Sequence, residues 1–169
     1  SDNTIQVITD ARGASQSFSY NGRHLVTGIT YAVPAGITTI TPVQPLSYSY
    51  DAAGNRTSMT DGSGRADYTY NQLSRMLSET RQFNGVAGSY ALNYDYNLAG
   101  ELKAITDPTN ATINYGYDAV GRIANVTGST YGGVSQYASG LVYRAWGAMK
   151  ALTYGNNLTL SMSYNSRLK

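Results

Sequence analysis

The segment Tyr48–Arg56 reads YSYDAAGNR, and the segment Tyr115–Ile123 reads YGYDAVGRI. Each is a Tyr-x-Tyr-Asp step followed by Gly and a basic residue. Weaker copies, YTYNQLSRM and YDYNLAGEL, begin at Tyr68 and Tyr94. A motif that recurs along a chain is the signature of a repeat architecture. We therefore interpret the protein as a tandem repeat, whose function is to be sought in a surface or a wall before a catalytic cleft.

The second Tyr of each step defines the period. The intervals between successive copies are 30, 20, 26, 21, 26 and 21 residues, so the unit is 20 to 21 residues long with insertions in the longer units. We expect one repeat array over 1–169, cut from a longer chain. It would hold a partial repeat at 5–17 and repeats that start near residues 18, 48, 68, 94, 115, 141 and 160.

Residues that flank the steps alternate between apolar and polar. The cleanest run is LTLSMSY at 158–164. Alternation with a period of two, rich in Tyr, Thr, Val and Ile, predicts β-strands. An Asp or Asn side chain bonds its own backbone two residues on, and Gly supplies a positive φ, so the step itself predicts a turn. We predict an all-β fold in which tandem β-hairpins form one long curved antiparallel sheet of about 12–14 strands.

The residues of the step have expected structural roles. Tyrosines supply packing, Asp and Asn cap the turn, Gly closes it, and Arg stacks on a neighbouring ring or pairs with the next hairpin's Asp. These residues are Tyr20, Tyr50, Asp51, Gly54, Arg56, Tyr70, Asn71, Arg75, Tyr96, Asn97, Gly100, Tyr117, Asp118, Gly121, Arg122, Tyr143, Gly147, Tyr164, Asn165 and Arg167.

Composition narrows the function classes. The chain has 16 Tyr against 2 Phe and 1 Trp, and Tyr suits a half-buried pleated surface. A net charge of +2 without a basic block does not have the footprint of a nucleic-acid-binding protein. No apolar run approaches the ~20 residues of a membrane-spanning helix, and no signal peptide is present. Cys is absent, so disulfides and thiolate metal sites are excluded.

Several sharper hypotheses compete with plain structural ones. The Asp and Asn residues of the steps could form a calcium array, but each turn offers one carboxylate, which favours turn capping. The arginines could bind anions, although stacking on Tyr is favoured. His24, the single His, has no partner motif for a triad or metal site, and no cofactor is predicted. Four glycosylation-type motifs, at Asn55, Asn110, Asn125 and Asn157, are attributed to chance.

The steps that begin at Tyr50 and Tyr117, with the companion pairs Thr60-Asp61 and Thr106-Asp107, resemble YD repeats. Such repeats occur in bacterial Rhs proteins, in shell components of insecticidal toxin complexes and in teneurins. The resemblance spans about residues 5–169. The sequence YDAAGNR, which begins at Tyr50, favours the bacterial branch of the family. It implies a strip of hairpins that spirals into a hollow shell, which encloses a toxin in complete Rhs proteins. The aspartate autoprotease that usually ends bacterial shells is not found in this chain.

The leading hypothesis is therefore a non-enzymatic module: part of the wall of a shell or stalk in a secreted or surface protein. Its partners would be neighbouring repeats of the parent chain, with edge-to-edge self-association possible through strands left unpaired. The alternative is an extracellular module that binds carbohydrate or protein through exposed Tyr and Trp146. A remote third hypothesis is hydrolytic activity in the variable loops.

Overall fold

The computed structural model describes residues 4–34, 36–37, 43–128 and 134–165. Within these ranges it contains fourteen β-strands and no α-helix, and hence no helix of the length and hydropathy needed to cross a membrane. The chain divides into two compact units, Ser1–Ala91 and Leu92–Lys169. The predicted all-β class, the antiparallel hairpins and the strand number are confirmed. The division into repeats stays a prediction.

The first unit contains seven complete strands. Each of the first six pairs antiparallel with the next strand in the chain. The strands are β1 (Val7–Thr9), β2 (Ser15–Tyr20), β3 (Val26–Ala32), β4 (Leu46–Tyr50), β5 (Arg56–Asp61), β6 (Gly64–Tyr70) and β7 (Met76–Phe83).

In the second unit the same antiparallel order runs from β8 to β14. Its first strand, β8, begins in the last two residues of the first unit. The strands are β8 (Tyr90–Tyr96), β9 (Leu102–Thr106), β10 (Thr112–Tyr117), β11 (Ile123–Gly128), β12 (Gln136–Tyr143), β13 (Met149–Tyr154) and β14 (Thr159–Ser161).

Cross-strand pairing in the first unit separates an aromatic face from a hydroxyl face. Residues opposite one another share a face, and successive residues alternate between faces. One row on the aromatic face joins Tyr48 to Met59, Met59 to Ala66 and Ala66 to Arg81. The adjacent row on the other face runs through Ser49, Ser58, Asp67 and Thr80. The alternation seen in the sequence therefore marks two chemically distinct faces.

The second unit repeats this separation. Tyr94 pairs with Ile105 and Ile105 with Ile113 on one face. On the other face, Asn93 pairs with Thr106 and Thr106 with Thr112. Cross-strand pairs of aromatic and β-branched residues each contribute about 0.2–1 kcal/mol of stability. The aromatic face therefore helps to hold neighbouring strands together.

Few apolar side chains of the described residues are buried. Among the described residues, only Ala66, Tyr68, Ala104, Ala111 and Leu152 are buried apolar residues, and none of the largest side chains is fully covered. Side chains here are thus covered mainly by neighbours within the sheet, which explains the preference for Tyr over Phe: its hydroxyl stays compatible with a half-wet face.

Two glycines permit a close approach of the backbone. A Cβ on Gly64 would lie 2.0 Å from the carbonyl oxygen of Gln82, and one on Gly155 would lie 1.9 Å from the carbonyl oxygen of Gln136. Neither distance is compatible with a side chain. These positions require glycine because a strand backbone occupies the space.

Candidate functional site

The repeated step folds into one kind of turn, seen most completely at Asp51. The backbone N–H of Asp51 donates to the carbonyl of Asn55 at 2.9 Å, and the N–H of Gly54 donates to the carbonyl of Asp51 at 3.1 Å. Gly54 has φ 93°, and the strand register shifts beside it, between Ser49 and Tyr50. A tight turn followed by a left-handed residue and a bulge is a common hairpin connection.

The same two backbone bonds recur in the other steps. They close the turns at 21–25, 71–75, 97–101, 118–122 and 144–148. The fourth position has positive φ throughout: 86° at Gly100, 79° at Gly121 and 98° at Gly147, but also 61° at His24 and 58° at Ser74. His24, for which the sequence offered no partner for a catalytic triad or a metal site, therefore occupies a position that normally favours glycine.

The Asp and Asn side chains of the steps cap these turns. Oδ1 of Asp118 accepts from the backbone N–H groups of Val120 and Arg122, at 3.0 and 2.9 Å. Oδ1 of Asn71 accepts from Leu73 and Arg75 in the same way. Asn21, Asp51 and Asn97 make equivalent bonds. The carboxylate or amide oxygen thus satisfies turn donors that the strands leave unpaired.

The opposite ends of the strands carry a second set of turns. Asp10 and Asp107 cap them with the same geometry, at 10–14 and 107–111. Asp61 caps a shorter turn through Ser63 and Gly64, at 2.8 and 3.0 Å. The Thr-Asp companion pairs signal two of these turns in the sequence, whereas the 154–158 turn has no such cap motif.

The hydroxyl of the second Tyr in each step reaches back to the preceding hairpin. In six steps it donates to a backbone carbonyl at 2.7 to 2.9 Å; we call this set the tyrosine ladder. The pairs are Tyr20–Ile5, Tyr50–Val26, Tyr70–Arg56, Tyr117–Leu102, Tyr143–Ile123 and Tyr164–Met149. Tyr96, at the end of β8, also has an interaction partner.

A simple numbering rule governs the ladder. The acceptor lies six residues after the second Tyr of the preceding step: Val26 follows Tyr20, and Ile123 follows Tyr117, at this spacing. The rule holds across intervals of 30, 20 and 26 residues, so insertions leave the contact untouched. Burial raises the pKa of Tyr70 and Tyr117, which keeps these hydroxyls protonated as donors. The sequence showed the tyrosines but offered no signal for their acceptors.

Arginines add a second contact between hairpins. The guanidinium of Arg56 lies 4.9 Å from the ring centroid of Tyr68, that of Arg122 lies 4.8 Å from Tyr143, and Arg144 lies 5.4 Å from Tyr164. Arg122 also pairs with Asp118 of its own turn at 2.8 Å, not with the next hairpin's Asp. Arg75 ends its turn and has an interaction partner. Arg167 lies outside the described residues.

Hydrogen bonding dominates the electrostatics of the turns. The Arg81 guanidinium and the Ser63 hydroxyl hold the pKa of Asp61 well below its ordinary value. Backbone and Arg122 donors lower the pKa of Asp118, and donors from Asn55 lower that of Asp51. These carboxylates are therefore charged acceptors at neutral pH. Among the described residues, no three His, Cys, Asp or Glu side chains converge as a metal site would require.

Among the described residues, four rings are exposed: Phe83 and Tyr90, which pack edge-on at 5.8 Å, and Trp146 and Tyr154. The step tyrosines are half-buried, with their hydroxyls engaged in the ladder. Trp146 is 50% exposed and packs edge-on against Tyr164 at 5.1 Å, beside the step turn. Tyr154 is exposed at the other end of β13. In the second unit the two exposed rings therefore lie at opposite ends of a strand.

Comparison with known proteins identifies the fold. A crystal structure of TcdB2-TccC3-Cdc42 matches with a TM-score of 0.76 at 16% identity, covering 94% of this chain and 9% of that chain. A Photorhabdus luminescens Tc holotoxin pore structure matches with the same score, identity and coverage. This chain thus spans about a tenth of those chains. None of the curated protein sequences is a match.

The family comparison agrees with the step geometry. The model of the Teneurin YD-shell family matches residues 2–128, three quarters of the chain. That span includes the five steps in which an Asp or Asn caps the turn, at residues 21, 51, 71, 97 and 118. We conclude that this chain belongs to the Teneurin YD-shell family.

Proposed function

We propose that this chain is a structural wall segment of a β-shell or stalk in a secreted or surface protein of the Rhs type. The observation that carries the proposal is the tyrosine ladder. In six of the seven steps it bonds a hairpin to the strand pair before it, and it tolerates loop insertions of up to about ten residues. A contact that serves only to join repeats is what a wall requires.

The chemistry of the step supports a mechanical role. Among the described step residues, contacts with neighbouring hairpins or with the step's own turn are made by the ladder hydroxyls, by the guanidinium groups of Arg56, Arg122 and Arg144, and by the capping carboxylates of Asp51 and Asp118. These groups hold the register of the sheet, and none is presented as a nucleophile or a general base. Enclosure or display of a toxin would be the task of the complete parent protein, of which this chain would supply one arc.

Strand edges are part of the proposal. β1 and β14 are only three residues long, and each has one paired neighbour in the structure. Unpaired strand backbone recruits other strands. In the parent, neighbouring repeats would cover these edges, and in the isolated chain we expect edge-to-edge association, seen as a mass that rises with concentration in light scattering.

Adhesion through carbohydrate is the alternative function. It would use exposed rings, and Trp146 is the best-placed candidate because half of its surface remains open. A sugar platform works best with several aligned rings. Trp146 and Tyr154 lie at opposite ends of β13, which favours the wall over the platform.

The test is a truncation with hydrogen exchange. A chain that ends at residue 148 lacks β13 and β14. If repeats contribute as units with nearest-neighbour terms, protection in β2–β7 should be unchanged, and only β12 should lose protection. Loss of protection throughout the shortened chain would contradict the wall proposal. Retention of the full chain on immobilised oligosaccharides, abolished by Trp146→Ala, would support the alternative.

A further inference from the structure

We propose, beyond the wall function, that the step-turn edge of the second unit is a docking surface for a lipid membrane interface. Each step turn presents two residues at its tip, between the capping residue and the left-handed residue. In the second unit these tip pairs are Leu98-Ala99, Ala119-Val120 and Ala145-Trp146. All six residues are apolar and exposed. We call them the apolar tips.

Exposure is concentrated on the large members of the apolar tips. Leu98 is fully exposed, Val120 is 71% exposed and Trp146 is 50% exposed. Turns usually place polar residues or glycine at such positions. Repetition at the same turn position in three consecutive hairpins distinguishes this set from singly scattered apolar residues, which are ordinary on protein surfaces.

The same positions elsewhere are different. The step turns of the first unit have Gly22-Arg23, Ala52-Ala53 and Gln72-Leu73 at their tips. At the opposite edge of the second unit, the turns contain Pro108-Thr109 and Gly155-Asn156. Among the described turns, an apolar tip pair with a large member is therefore found only at the step-turn edge of the second unit, and the fold does not demand it.

The backbone of the apolar tips is suited to a partly dehydrated environment. The three turns close internally, through N–H donation from Gly100 to Asn97, from Gly121 to Asp118 and from Gly147 to Arg144, at 2.9 to 3.0 Å. Unsatisfied backbone groups are what keeps irregular segments out of lipid. Shallow contact with the headgroup region leaves the remaining groups within reach of water.

The small apolar area of the tips favours a lipid surface over a second copy of the chain as their partner. Even a fully covered aromatic side chain buries only about 150–250 Å². One Trp, one Leu and one Val thus fall well short of the roughly 800 Å² per partner that a stable interface buries. A lipid surface has no such threshold, because each side chain partitions by itself. Consecutive tips lie two strands apart, about 10 Å, so all three can contact one surface.

The charged groups of the three turns balance, with two carboxylates and two guanidinium groups. Glu101 ends the first turn and accepts from the side chain of Asn97 at 2.7 Å. Asp118 is neutralised by Arg122 at 2.8 Å. Arg144 adjoins the tip that carries Trp146, and its guanidinium rests on the Tyr164 ring and donates to the carbonyl of Met162 at 3.4 Å. Trp is enriched at membrane–water interfaces, where its ring meets the headgroups.

Trp146 makes the test direct, because it is the only Trp in the chain. The 169-residue chain is titrated with vesicles of phosphatidylcholine containing one third phosphatidylglycerol, and Trp fluorescence is recorded. We expect a shift of the emission to shorter wavelength, and quenching when the lipids carry bromine. The double variant L98S/V120S keeps the reporter and should lower the partition coefficient at least about tenfold, since each buried CH₂ contributes about 0.8 kcal/mol.

The matched control is L158S, at the opposite edge of the same unit, where Leu158 is 63% exposed. Its partition coefficient should equal that of the unaltered chain. An emission unchanged by vesicles would overturn the proposal, as would equal losses for L98S/V120S and L158S. A shift that depends on protein concentration without lipid would instead assign the apolar tips to a second copy. The wall function is tested by hydrogen exchange and stands or falls separately.

Discussion

The step-turn edges of the two units share a backbone but differ in chemistry. In the first unit, Arg23 donates to the carbonyls of Asp51 and Ala52, so the first turn is tied to the second. Asn55 then donates to the Ser74 hydroxyl at 3.0 Å and ties the second turn to the third. In the second unit, the tip position that Arg23 occupies in the first carries Ala99, Val120 and Trp146, which are exposed. Side chains thus tie neighbouring turns together at the step-turn edge of the first unit, whereas the described step turns of the second unit present exposed apolar side chains at their tips.

The difference teaches how a repeat protein separates folding from recognition. Capping residue, left-handed residue and ladder tyrosine recur in both units, because each serves the backbone or the neighbouring hairpin. The two tip positions are not needed to close the turn, so they vary: Arg23 bonds the neighbouring turn, whereas Leu98 and Val120 are exposed. A function specific to one stretch of the wall is therefore best sought at the tips, and the predictions below separate the shared parts from the variable ones.

The largest effect is expected where both units rely on glycine. Gly64→Ala and Gly155→Ala each place a Cβ within 2.0 Å of a carbonyl oxygen. Each should cost more than about 3 kcal/mol of unfolding free energy, at or above the upper end of ordinary substitutions. Urea denaturation measures the loss. Gly22→Ala is the control, since nothing lies within 4 Å of its Cβ, and it should change stability by less than about 0.5 kcal/mol. A small loss at either buried position would mean that the strands separate easily there.

The tyrosine ladder should matter equally in the two units. Tyr70→Phe and Tyr117→Phe each remove one hydroxyl donor and leave the ring in place. Each should cost about 0.5–1.5 kcal/mol, the net contribution of one hydrogen bond. Denaturant unfolding measures both. Tyr154→Phe, at an exposed ring outside the ladder, is the control and should be neutral. Unequal losses for Tyr70 and Tyr117 would show that the ladder serves one unit more than the other.

The tips should respond differently from unit to unit. Arg23→Ala removes two bonds to the neighbouring turn and should lower the free energy of unfolding by up to about 1 kcal/mol, because the side chain is exposed. Leu98→Ser, at a fully exposed tip, should leave stability within about 0.5 kcal/mol. Thermal unfolding of the two variants side by side tests the contrast. A destabilising Leu98→Ser would place that side chain in the folded core and not on a free edge.

The smallest effect is a change of pH dependence at one cap. Asp51 has a pKa below the ordinary 3.8 because its turn donates to the charged form. Its contribution is complete above pH 3.8 and is lost as the pH falls through the lower folded value. Asp51→Asn keeps the cap, as Asn does naturally at residues 21, 71 and 97. The stability advantage of Asp over Asn should therefore shrink below pH 3.8 in thermal melts. An advantage that grows on acidification would contradict this assignment.

The repeated step could be predicted because its signals are local. Two tyrosines separated by one residue, then Asp, then Gly three residues after the Asp, predict a strand, a cap and a left-handed turn within one short stretch. The hairpin turns at 51–55 and 118–122 are predicted directly by that motif. Turns that depart from the motif are harder to predict. The 144–148 turn has Arg at the position where the other step turns have Asp or Asn, and its two backbone hydrogen bonds close it without a side-chain cap motif.

The sequence by itself determined the repeat, the all-β class and the positions of the turns, since strand alternation and turn propensity act over a few residues. Tertiary structure alone decided which carbonyl receives each tyrosine hydroxyl, which ring each arginine covers, and why Gly64 and Gly155 have no substitute. Those contacts join residues up to 24 positions apart, as between Tyr50 and Val26. They depend on strand register, which hydrogen bonding between hairpins sets and no local pattern encodes.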